Sequence, residues 1–440
     1  MYSFDVFDTL ITRKTAVPEG IFAIMQDELR KDEYASISLA IRDNFYQFRI
    51  VAERLARYSY QRNGIEDVTL EQIYDTLALR GELSELQRKQ LISLECEIEY
   101  RECVPIEKNV IQIKKILSDG ERVVLISDMY LPKKQIYRML AKADPVLAEL
   151  RLYVSGDCKK RKYTGAIYEF AMKWSHFVGE ECVHTGDNEK TDIIAARKAG
   201  FEAKLSWFPD LLPIEKKLLD QTPGNVWLNR VIGCGRRARL ALGKEMSKKD
   251  DVLIGTSVGG ILLCSYVHWV IQSALIRGID SLYFMKSNGY VLKRIADILI
   301  QKTKAMIETY YIYEDSSANR KANFQDGRFA FVDMTENSGI RQYLTDLFHN
   351  FDKKYPPIFL FGLEQIITTD NFINFVFYPG RIHREYVLKE NCGILGDNNN
   401  YLAGIEKFTE FFCEDGHAIV QLEDIEQIAK MLAYIMEMQL

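Results

Sequence analysis

The sequence predicts an α/β protein built on parallel sheets, with a helical insertion near its N-terminus and a second α/β domain in its C-terminal half. Short β-rich runs alternate with helical patterns between Tyr2 and Phe208. The alternation is interrupted from about Ala16 to Val104, where amphipathic helical patterns occur without a convincing strand. Strand and helix alternate again from Val226 onward. Such alternation is typical of a parallel sheet with helices on both faces.

Five runs of the first domain are rich in β-branched and aromatic residues and are predicted as strands. They are Tyr2 to Phe7, Arg122 to Ser127, Leu150 to Val154, Cys182 to Thr185 and Glu202 to Trp207. Helices are predicted over Ile106 to Leu117 and Thr191 to Ala199, because apolar residues recur there at helical spacing. Each pattern stops before a glycine, Gly120 or Gly200, which is a typical helix end.

The clearest helix of the insertion places its apolar residues on one face. These residues are Ile41, Phe45, Phe48, Ala52 and Leu55. Arg49, Glu53 and Arg57 are spaced four apart on another face, where ion pairs between successive turns are expected. Thr69 and Gln72 have the spacing of a capping box, which predicts the start of the next helix.

The predicted domain organisation follows these patterns. Residues 1–15 and 105–208 form an α/β core, 16–104 form the helical insertion, 209–225 form a proline-containing connector, and 226–440 form the second α/β domain. Strands of the second domain are expected at Ser281 to Met285, Thr309 to Tyr313, Arg328 to Asp333 and Ile358 to Phe361. The 440 residues suffice for two or three domains, each with its own core.

The composition is typical of a soluble globular protein, with 47% apolar residues, 27% charged residues and a formal net charge of -5. No basic stripe interleaved with aromatic residues is present, which argues against nucleic-acid binding. The eight cysteines form no CxxC pair, so we expect reduced thiols in a cytosolic protein. Asp5 and Asp8 lie where a signal peptide would have its apolar region, so none is expected.

One stretch, Val252 to Ile276, contains no charged residue and is long enough to cross a bilayer. Polar or small residues interrupt it at Gly255, Gly259, Gly260, His268 and Gln272. Soluble α/β patterning resumes directly after it. We therefore interpret the stretch as a buried central helix and expect no association with a membrane.

Reactive side chains follow four of the predicted strands of the first domain, where ligands bind in a parallel sheet. They are Asp5 and Thr9, Ser127 and Asp128, Lys162 in KKRKYTG, and Asp187 and Asp192 in HTGDNEKTD. Lys159 and Lys160 are alternatives to Lys162, which is favoured because it precedes Gly165 by three residues.

A cation bound by Asp5 and Asp187 would satisfy both acids and create a phosphate site. Ser127 and Lys162 would then neutralise the phosphate oxygens. Asp5 is placed to attack phosphorus as a covalent nucleophile. This pattern indicates phosphoryl chemistry at the carboxyl edge of the sheet.

The ordered set resembles the haloacid dehalogenase (HAD) superfamily over roughly the first 208 residues. The matching features are DVFDTL, a serine that closes the second strand, a lysine before the next helix, and GD followed by a second Asp. The resemblance implies that Asp5 is the nucleophile and a metal ligand, and that Ser127 and Lys162 bind the phosphoryl group. It further implies that Asp187 binds Mg²⁺, that Asp192 supports it, and that the Phe7 backbone carbonyl is another ligand. Residues 16–104 would be a cap of the first type, which closes over the substrate.

The chain departs from the family pattern at Phe7, where most family phosphatases have an Asp that acts as general acid and base. Without a proton donor, a phosphoester leaving group departs slowly. Asp8 or Glu53 could take this role, with Arg49 and Glu53 as candidate substrate contacts, although an ion pair between these two is the favoured interpretation. Alternatively, the leaving group needs no proton, as in dehalogenases and in enzymes that cleave carbon–phosphorus bonds, or the site binds without turnover. His184 is expected to pack beside its strand without binding metal.

The C-terminal half resembles the appended domain of multidomain HAD proteins from bacterial surface-polysaccharide gene clusters. The similar stretches are GIDSLYFMKSNGYVLKRI and FVDMTENSGIRQYL. Those relatives have Arg-Asp-Gly where this chain has Ser287-Asn288-Gly289, and a tryptophan-bearing turn where it has Thr335 to Gly339. A structural role is therefore favoured over binding of a sugar or nucleotide at the helix N-termini.

Together these observations predict a cytoplasmic, Mg²⁺-dependent HAD-type hydrolase. Its expected substrate is a small phosphorylated metabolite, such as a sugar phosphate or activated sugar of polysaccharide biosynthesis. No nucleic acid or membrane partner is expected, and the oligomeric state is left open. The alternatives are a dehalogenase-like hydrolase that needs no metal, and a binding or scaffold protein with a degenerate site.

Overall fold

The computed structural model describes residues 1–175, 181–285, 289–312, 328–333, 358–362, 372–376 and 399–414. The chain divides into two compact units. The first consists of Met1–Asp210 with Pro223–Gly233, and the second of Leu211–Thr222 with Cys234–Leu440. Each unit contains a parallel five-stranded sheet, which confirms the α/β prediction.

The first unit contains a five-stranded sheet and a two-stranded ribbon. Its strands are β1 (Tyr2–Phe4), β2 (Ile11–Arg13), β3 (Cys103–Pro105), β4 (Val123–Ser127), β5 (Arg151–Val154), β6 (Val183–Gly186) and β7 (Glu202–Leu205). The parallel sheet has the order β5-β4-β1-β6-β7, and all five of its strands were predicted. The antiparallel ribbon formed by β2 and β3 was not predicted.

The strand order of the first sheet determines where a ligand can enter. From β1 the chain continues to β4 and β5 on one side, and then returns to β6 and β7 on the other. Connections that diverge in this way open a crevice beyond the carboxyl end of the central strand. Phe4 and Val6 are fully buried, so the core fixes the chain directly beside this crevice.

The segment between β2 and β3 is helical, as predicted. Its helices are α1 (Gly20–Glu28), α2 (Leu39–Asp43), α3 (Phe45–Gln61), α4 (Leu70–Gly81) and α5 (Glu85–Glu102), with a short 3₁₀ turn at Asp32–Tyr34. The β2–β3 ribbon holds the two ends of the insertion together, with Thr12 opposite Val104. The predicted capping box of Thr69 and Gln72 is confirmed, and Ser84 with Gln87 forms another.

Short helices connect the strands of the first sheet. They are α6 (Glu107–Ser118), α7 (Lys133–Ala143), α8 (Pro145–Ala148), α9 (Ser155–Cys158), α10 (Ala166–Ser175) and α11 (Ala195–Lys198), with a π-helical segment at Glu189–Ile194 before α11. Both predicted helices of this region are present, and each ends beside its predicted glycine.

The second unit contains the other parallel sheet, ordered β12-β11-β10-β8-β9. Its strands are β8 (Ser281–Phe284), β9 (Glu308–Tyr311), β10 (Phe329–Asp333), β11 (Ile358–Gly362) and β12 (Phe372–Val376), of which β12 was not predicted. Its described helices are α12 (Pro213–Gln221), α13 (Val226–Leu242), α14 (Asp250–Gly255), α15 (Val258–Ile276), α16 (Gly289–Thr303) and α17 (Asn399–Glu414), with a 3₁₀ turn at Met246–Lys248. Helix α13 begins in the residues assigned to the first unit.

The observed boundary between the units differs from the predicted connector at 209–225. Helix α12 lies in the second unit, whereas Pro223–Gly233 packs with the first. Gly233 explains part of this packing, because a Cβ atom there would approach the Lys14 carbonyl oxygen to 1.9 Å. Ser287, Asn288 and Thr335 to Gly339, on which the resemblance of the second half depended, lie outside the described residues.

The apolar stretch in the second unit forms most of α14 and α15. Among the described residues, the segment Asp250–Ile276 is long and apolar enough to cross a membrane, but 83% of its most apolar window is buried inside the protein. Such burial is typical of the central helix of a soluble protein, which agrees with the interpretation made from the sequence. The seven cysteines that the structure describes are all free thiols.

Candidate functional site

An acidic cluster with one lysine occupies the carboxyl edge of the first sheet. Asp5 follows β1 and Asp187 follows β6, the strand paired with it. The Lys162 ammonium donates hydrogen bonds to Asp5 Oδ1 and to Asp192 Oδ1, the latter at 2.7 Å. Lys162 is only 2% exposed, so three carboxylates and one ammonium meet in a mostly buried site. We call these four residues the acidic cluster.

Thr9 connects the two aspartates that follow the strands. Its hydroxyl lies 3.1 Å from Asp5 Oδ2 and 3.2 Å from Asp187 Oδ1. A hydroxyl has one proton to donate, so it serves one of these oxygens at a time. The other carboxylate oxygen then requires a different positive partner.

The acidic cluster fits a divalent cation. One oxygen atom from each of Asp5, Asp187 and Asp192 lies within 4.8 Å of the other two. Carboxylate oxygens are the ligands that Mg²⁺ prefers. When all three carboxylates are ionised, the single ammonium leaves the group negatively charged, and a divalent ion would compensate that charge.

The protonation of the acidic cluster reflects this excess of carboxylates. Burial raises the pKa of Asp5 well above its usual value, against the opposing charge of Lys162. Burial and the charges of Asp8 and Asp192 raise the pKa of Asp187 to about 7. Without a cation, Asp187 therefore holds a proton over much of the neutral range.

Asp192 differs from the other two aspartates because its oxygens already accept several hydrogen bonds. Its Oδ1 lies 3.3 Å from His184 Nε2 and 3.4 Å from the Tyr168 hydroxyl, and its Oδ2 accepts from the Asn188 backbone N–H at 3.0 Å. Burial opposes ionisation, but Lys162 and His184 together lower the pKa of Asp192 below its usual value. Asp192 is thus ionised and suited to orient Lys162.

His184 is held as a neutral donor to Asp192. Burial lowers the pKa of His184 to about 4, so the ring carries no charge near neutral pH. Its Nδ1 lies 2.8 Å from the Ser3 hydroxyl. Because ionised Asp192 only accepts, Nε2 carries the proton and Nδ1 accepts from Ser3. This supports the expectation that His184 packs beside its strand.

Gly186 creates the space that Asp192 occupies. A Cβ atom on Gly186 would lie 2.4 Å from Asp192 Cγ and 2.6 Å from its Oδ2. We therefore expect Gly186→Ala to displace the Asp192 side chain, to lower stability by about 1–3 kcal/mol and to weaken Mg²⁺ binding by about 10–100-fold. Urea unfolding and magnesium titration measure these effects. Gly186→Ala should add no further loss of Mg²⁺ affinity to a protein that already carries Asp192→Asn. A further loss would show that displacement of Asp192 is not the cause.

The loop that carries Lys162 is fixed by carboxylates on both sides. Asp128 accepts a hydrogen bond from the Lys162 backbone N–H at 2.9 Å. Glu66, from the helical insertion, accepts from the Arg161 backbone N–H at 2.7 Å and from the Thr164 hydroxyl at 2.8 Å. In the same basic run, Lys159 is exposed and Lys160 is half-buried, so the geometry favours Lys162 among the three lysines considered.

The other residues predicted for the site lie around the acidic cluster. Ser127 is buried at the end of β4, beside β1 at the same edge of the sheet. The ring of Phe7 lies under the Arg13 guanidinium, with 4.5 Å from its centroid to Cζ. Asp8 has a positive φ of 58°, and its Oδ1 accepts a hydrogen bond from the Thr12 hydroxyl at 2.6 Å. The charge of Asp8 raises the pKa of Asp187, so Asp8 lies near the acidic cluster.

Arg49 and Glu53 form an ion pair, which is the interpretation that the sequence favoured over a substrate contact. Arg49 is fully buried and makes two hydrogen bonds of 2.8 Å to Glu95, with a third of 3.0 Å to Glu53. Glu53 also binds Arg57 at 2.9 Å. The Arg49–Glu53 pair is therefore present, but it belongs to the interior of the helical insertion.

The predicted apolar face of this helix is confirmed only in part, since Ile41, Phe45 and Ala52 are buried but Leu55 is only half-buried. Phe48 is 40% exposed, and the buried positions of the helix are Phe45, Arg49, Ala52 and Ala56. The guanidinium of Arg49 lies over the rings of Phe22 and Tyr130, at 4.4 and 4.9 Å from their centroids. A rule that treats every arginine as a surface residue assigns this helix face incorrectly.

Several residues that shape the site were not predicted from the sequence. Asn188 donates to Asp192, and Glu66 holds the lysine loop. The Tyr168 hydroxyl lies 3.4 Å from Asp192 Oδ1 and 2.8 Å from the Thr191 carbonyl oxygen, to which it donates. Tyr168 and Glu66 belong to no recognisable motif. Asn188 directly follows Asp187, so its position near the site was available from the sequence even though its role was not.

The fold and site together define an α/β protein with an acidic, lysine-containing site at the switch point of a parallel sheet. No family model matches the chain, and neither does any curated protein. Solved structures that are similar include a dehalogenase, with 16% identity over 46% of this chain and 82% of its own, at a TM-score of 0.31.

Two other similar structures come from named organisms. The 2-haloacid dehalogenase from Pseudomonas syringae pv. Tomato DC3000 is 16% identical over 48% of this chain and 91% of its own, at a TM-score of 0.34. A protein assigned as a beta-phosphoglucomutase from Thermotoga maritima is 16% identical over 46% of this chain and 82% of its own, at a TM-score of 0.27. At these identities and TM-scores the likeness carries no conclusion about activity.

Proposed function

We propose that this chain is a Mg²⁺-dependent hydrolase of the HAD type that transfers a phosphoryl group from a small phosphorylated metabolite to Asp5 and then to water. The observation that carries the proposal is the acidic cluster, in which Lys162 bridges Asp5 and Asp192 and an oxygen of Asp187 lies within 4.8 Å of both aspartates. A carboxylate nucleophile, a cationic side chain and a cation site are the parts that phosphoryl transfer requires.

In the proposed reaction, a carboxylate oxygen of Asp5 attacks phosphorus and forms an acyl phosphate. The bond from phosphorus to the leaving oxygen breaks, and its electron pair stays with that oxygen, which then takes a proton. Lys162 and Ser127 stabilise the charge on the transferring group. Water then attacks the phosphorus, which releases phosphate and regenerates Asp5. Asp5 and Asp187, with support from Asp192, would hold Mg²⁺, which supplies positive charge to the phosphoryl oxygens.

Asp8 is our candidate for the proton donor. Phe7 occupies the usual position of the general acid and carries no proton to donate. Asp8 is near enough to Asp187 for its charge to raise the pKa of that carboxyl, whereas Glu53 is bonded to two arginines of the insertion. A carboxyl group within reach of the leaving oxygen accelerates its departure.

The remaining features fit a metabolic enzyme. We infer that the helical insertion acts as a cap over the crevice and selects the substrate. A cytoplasmic location, a sugar phosphate or activated sugar as substrate, and a structural role for the C-terminal unit complete the proposal. Neither nucleic acid nor membrane is part of it.

A panel of phosphate monoesters tests the proposal directly. The full chain is incubated with each compound in MgCl₂ or in EDTA, and released phosphate is measured. We expect release from at least one sugar phosphate in MgCl₂ and none in EDTA. Absence of release from every compound, in both conditions, would overturn the assignment as a phosphatase.

Cleavage of a carbon–halogen bond is a second candidate, because Phe7 replaces the acid that an ester leaving group needs. A halide departs without a proton, so Asp5 and Lys162 would suffice for this reaction. It would also proceed in EDTA. Halide release from 2-haloacids in the presence of the chelator separates this candidate from the phosphatase.

Asp8→Gly separates the proposed acid role from folding. Residue 8 has a left-handed backbone, which glycine adopts without strain. We expect stability within about 1 kcal/mol of wild type, because relief of that strain offsets the lost bond to Thr12. The rate should fall by about 10²–10⁴-fold for alkyl phosphates and much less for p-nitrophenyl phosphate, whose leaving group needs no proton. A uniform loss on both substrates would contradict the acid role of Asp8.

The pKa of Asp187 predicts a pH dependence of magnesium binding. In the metal-free fold this carboxyl is protonated below about pH 7, and it must lose the proton to bind a cation. Its raised pKa also makes the metal-free fold less stable as pH rises through the acid range toward 7. The rise in Tm caused by MgCl₂ should therefore be larger at about pH 8 than at about pH 6. An equal rise at both values, or an unchanged rise in Asp187→Asn, would contradict this assignment.

A further inference from the structure

A small cavity lies beside the loop that carries Lys162. It has a volume of about 280 Å³ and is lined by Gln61, Gly64, Ile65, Glu66, Arg161, Tyr163 and Thr164. The first four residues belong to the helical insertion, and the last three belong to the lysine loop. This volume is close to the lower limit of small-molecule pockets, and it suits a ligand with a single ring.

Arg161 is the cationic residue of this cavity. Its Nε atom is buried and has no hydrogen-bond acceptor. In the part of the chain that the structure describes, its guanidinium makes no ion pair, although Asp128 is near enough to be influenced by its charge. The nearby Glu66 accepts from the Arg161 backbone and the Thr164 hydroxyl instead. The buried Nε atom is out of reach of a ligand in the cavity, so an anion there would bind the terminal nitrogens of the half-buried guanidinium.

Tyr163 supplies a second recognition element. Tyr163 is 71% exposed although it lines the cavity, so most of its surface is accessible to a ligand. Rings and the apolar faces of sugars stack on such a surface. Arg161 and Tyr163 flank Lys162 in the chain, but Lys162 itself points into the acidic cluster and does not line the cavity. The cavity is therefore separate from the proposed reaction centre.

We propose that this cavity is a binding site for a small organic anion, with Arg161 binding a phosphate or carboxylate and Tyr163 stacking on the attached ring. The site goes beyond the proposed function, since it does not require that Asp5 react. The hydrogen bonds to Glu66 from the Arg161 N–H and the Thr164 hydroxyl hold the loop on both sides of Tyr163 before the ligand arrives.

Calorimetric titration of the full chain in EDTA tests the site. The probes are phenyl phosphate, benzoate and inorganic phosphate. We expect phenyl phosphate or benzoate to bind at least several-fold more tightly than inorganic phosphate. The affinity for the better aromatic probe should fall about 10–100-fold in Arg161→Gln and should be partly retained in Arg161→Lys. Tyr163→Ala should remove the preference for the aromatic probes.

A control variant distinguishes this cavity from the acidic cluster. Lys162→Met alters the cluster, so it should leave the affinity for the aromatic probe unchanged. If Lys162→Met loses binding of the aromatic probe and Arg161→Gln retains it, the anion binds at the acidic cluster and the proposal is overturned. Equal affinity in wild type and Arg161→Gln, or no binding of any probe, would also overturn it. Since magnesium is absent and no turnover is measured, none of these outcomes depends on the phosphatase assignment.

Discussion

The Asp5→Asn variant is expected to lose at least about 10⁴-fold in phosphate release, because an amide oxygen cannot act as the attacking carboxylate. The fold should survive the change. Burial raises the pKa of Asp5, so its ionised form is unfavourable in the metal-free protein. Asparagine removes that charge and retains an oxygen that can accept from Lys162, while Lys162 keeps its bond to Asp192. Tm measured in EDTA should therefore be equal to or higher than that of wild type.

Rates are measured on the best substrate of the panel, with intact mass spectrometry to detect deamidation of the introduced asparagine back to aspartate. Asp119→Asn is a matched control, since Asp119 is exposed at the end of α6. It should retain the wild-type rate. If Asp5→Asn releases phosphate as fast as this control, Asp5 is not the nucleophile. A trapped acyl phosphate in wild type that is missing in Asp5→Asn would support the role of Asp5 independently.

The position of the acidic cluster could be predicted because it depends on local patterns and one rule of sheet topology. Asp5 and Asp187 each follow a short run of strand-forming residues. Parallel strands present their carboxyl ends at the same edge, so the two acids come together even though many residues separate them in the chain. Lys162 was harder to assign, because two neighbouring lysines have the same charge, and only the buried geometry distinguishes it.

The parts that were not predicted depend on contacts between distant residues. The strands β2 and β3 have three residues each, too few to produce a periodic pattern, and they pair across the whole insertion. Tyr168 and Asn188, which lie beside Asp192, come from separate elements and follow no motif. The cavity beside Arg161 exists only because a turn of the insertion lies against the lysine loop.

The insertion also contributes directly to the order of the site. Glu66 binds the lysine loop, and the adjacent Asp67 accepts from the Ser155 hydroxyl at the end of β5 and from Arg57. A backbone hydrogen bond adds to these contacts, since the Leu70 N–H donates to the Tyr130 carbonyl oxygen at 2.8 Å. Changes in the insertion are therefore transmitted to the loop of Lys162, and mutations that loosen its helices should affect the site without touching it.

Arg49 is the residue of the insertion whose loss should affect stability most. Its guanidinium pairs with Glu95 on α5, and the Tyr74 hydroxyl on α4 donates to the same Glu95 carboxylate at 2.7 Å. The pair therefore joins three helices, and both of its members are completely buried. Arg49→Met would leave the Glu95 carboxylate without a cation in the core. We expect the free energy of unfolding to fall by about 3–5 kcal/mol, because an uncompensated buried charge is strongly unfavourable.

Urea unfolding measures this loss, and Arg54→Met on the exposed side of the same helix is the matched control, with an expected change within about 0.5 kcal/mol. The double variant Arg49→Met with Glu95→Leu should recover at least about half of the loss, since both charges are then absent. The KM for the substrate distinguishes a structural role of Arg49 from the substrate contact that the sequence also allowed. A structural Arg49 predicts an unchanged KM for the fraction of Arg49→Met that remains folded. A raised KM with normal stability would show instead that Arg49 binds the substrate.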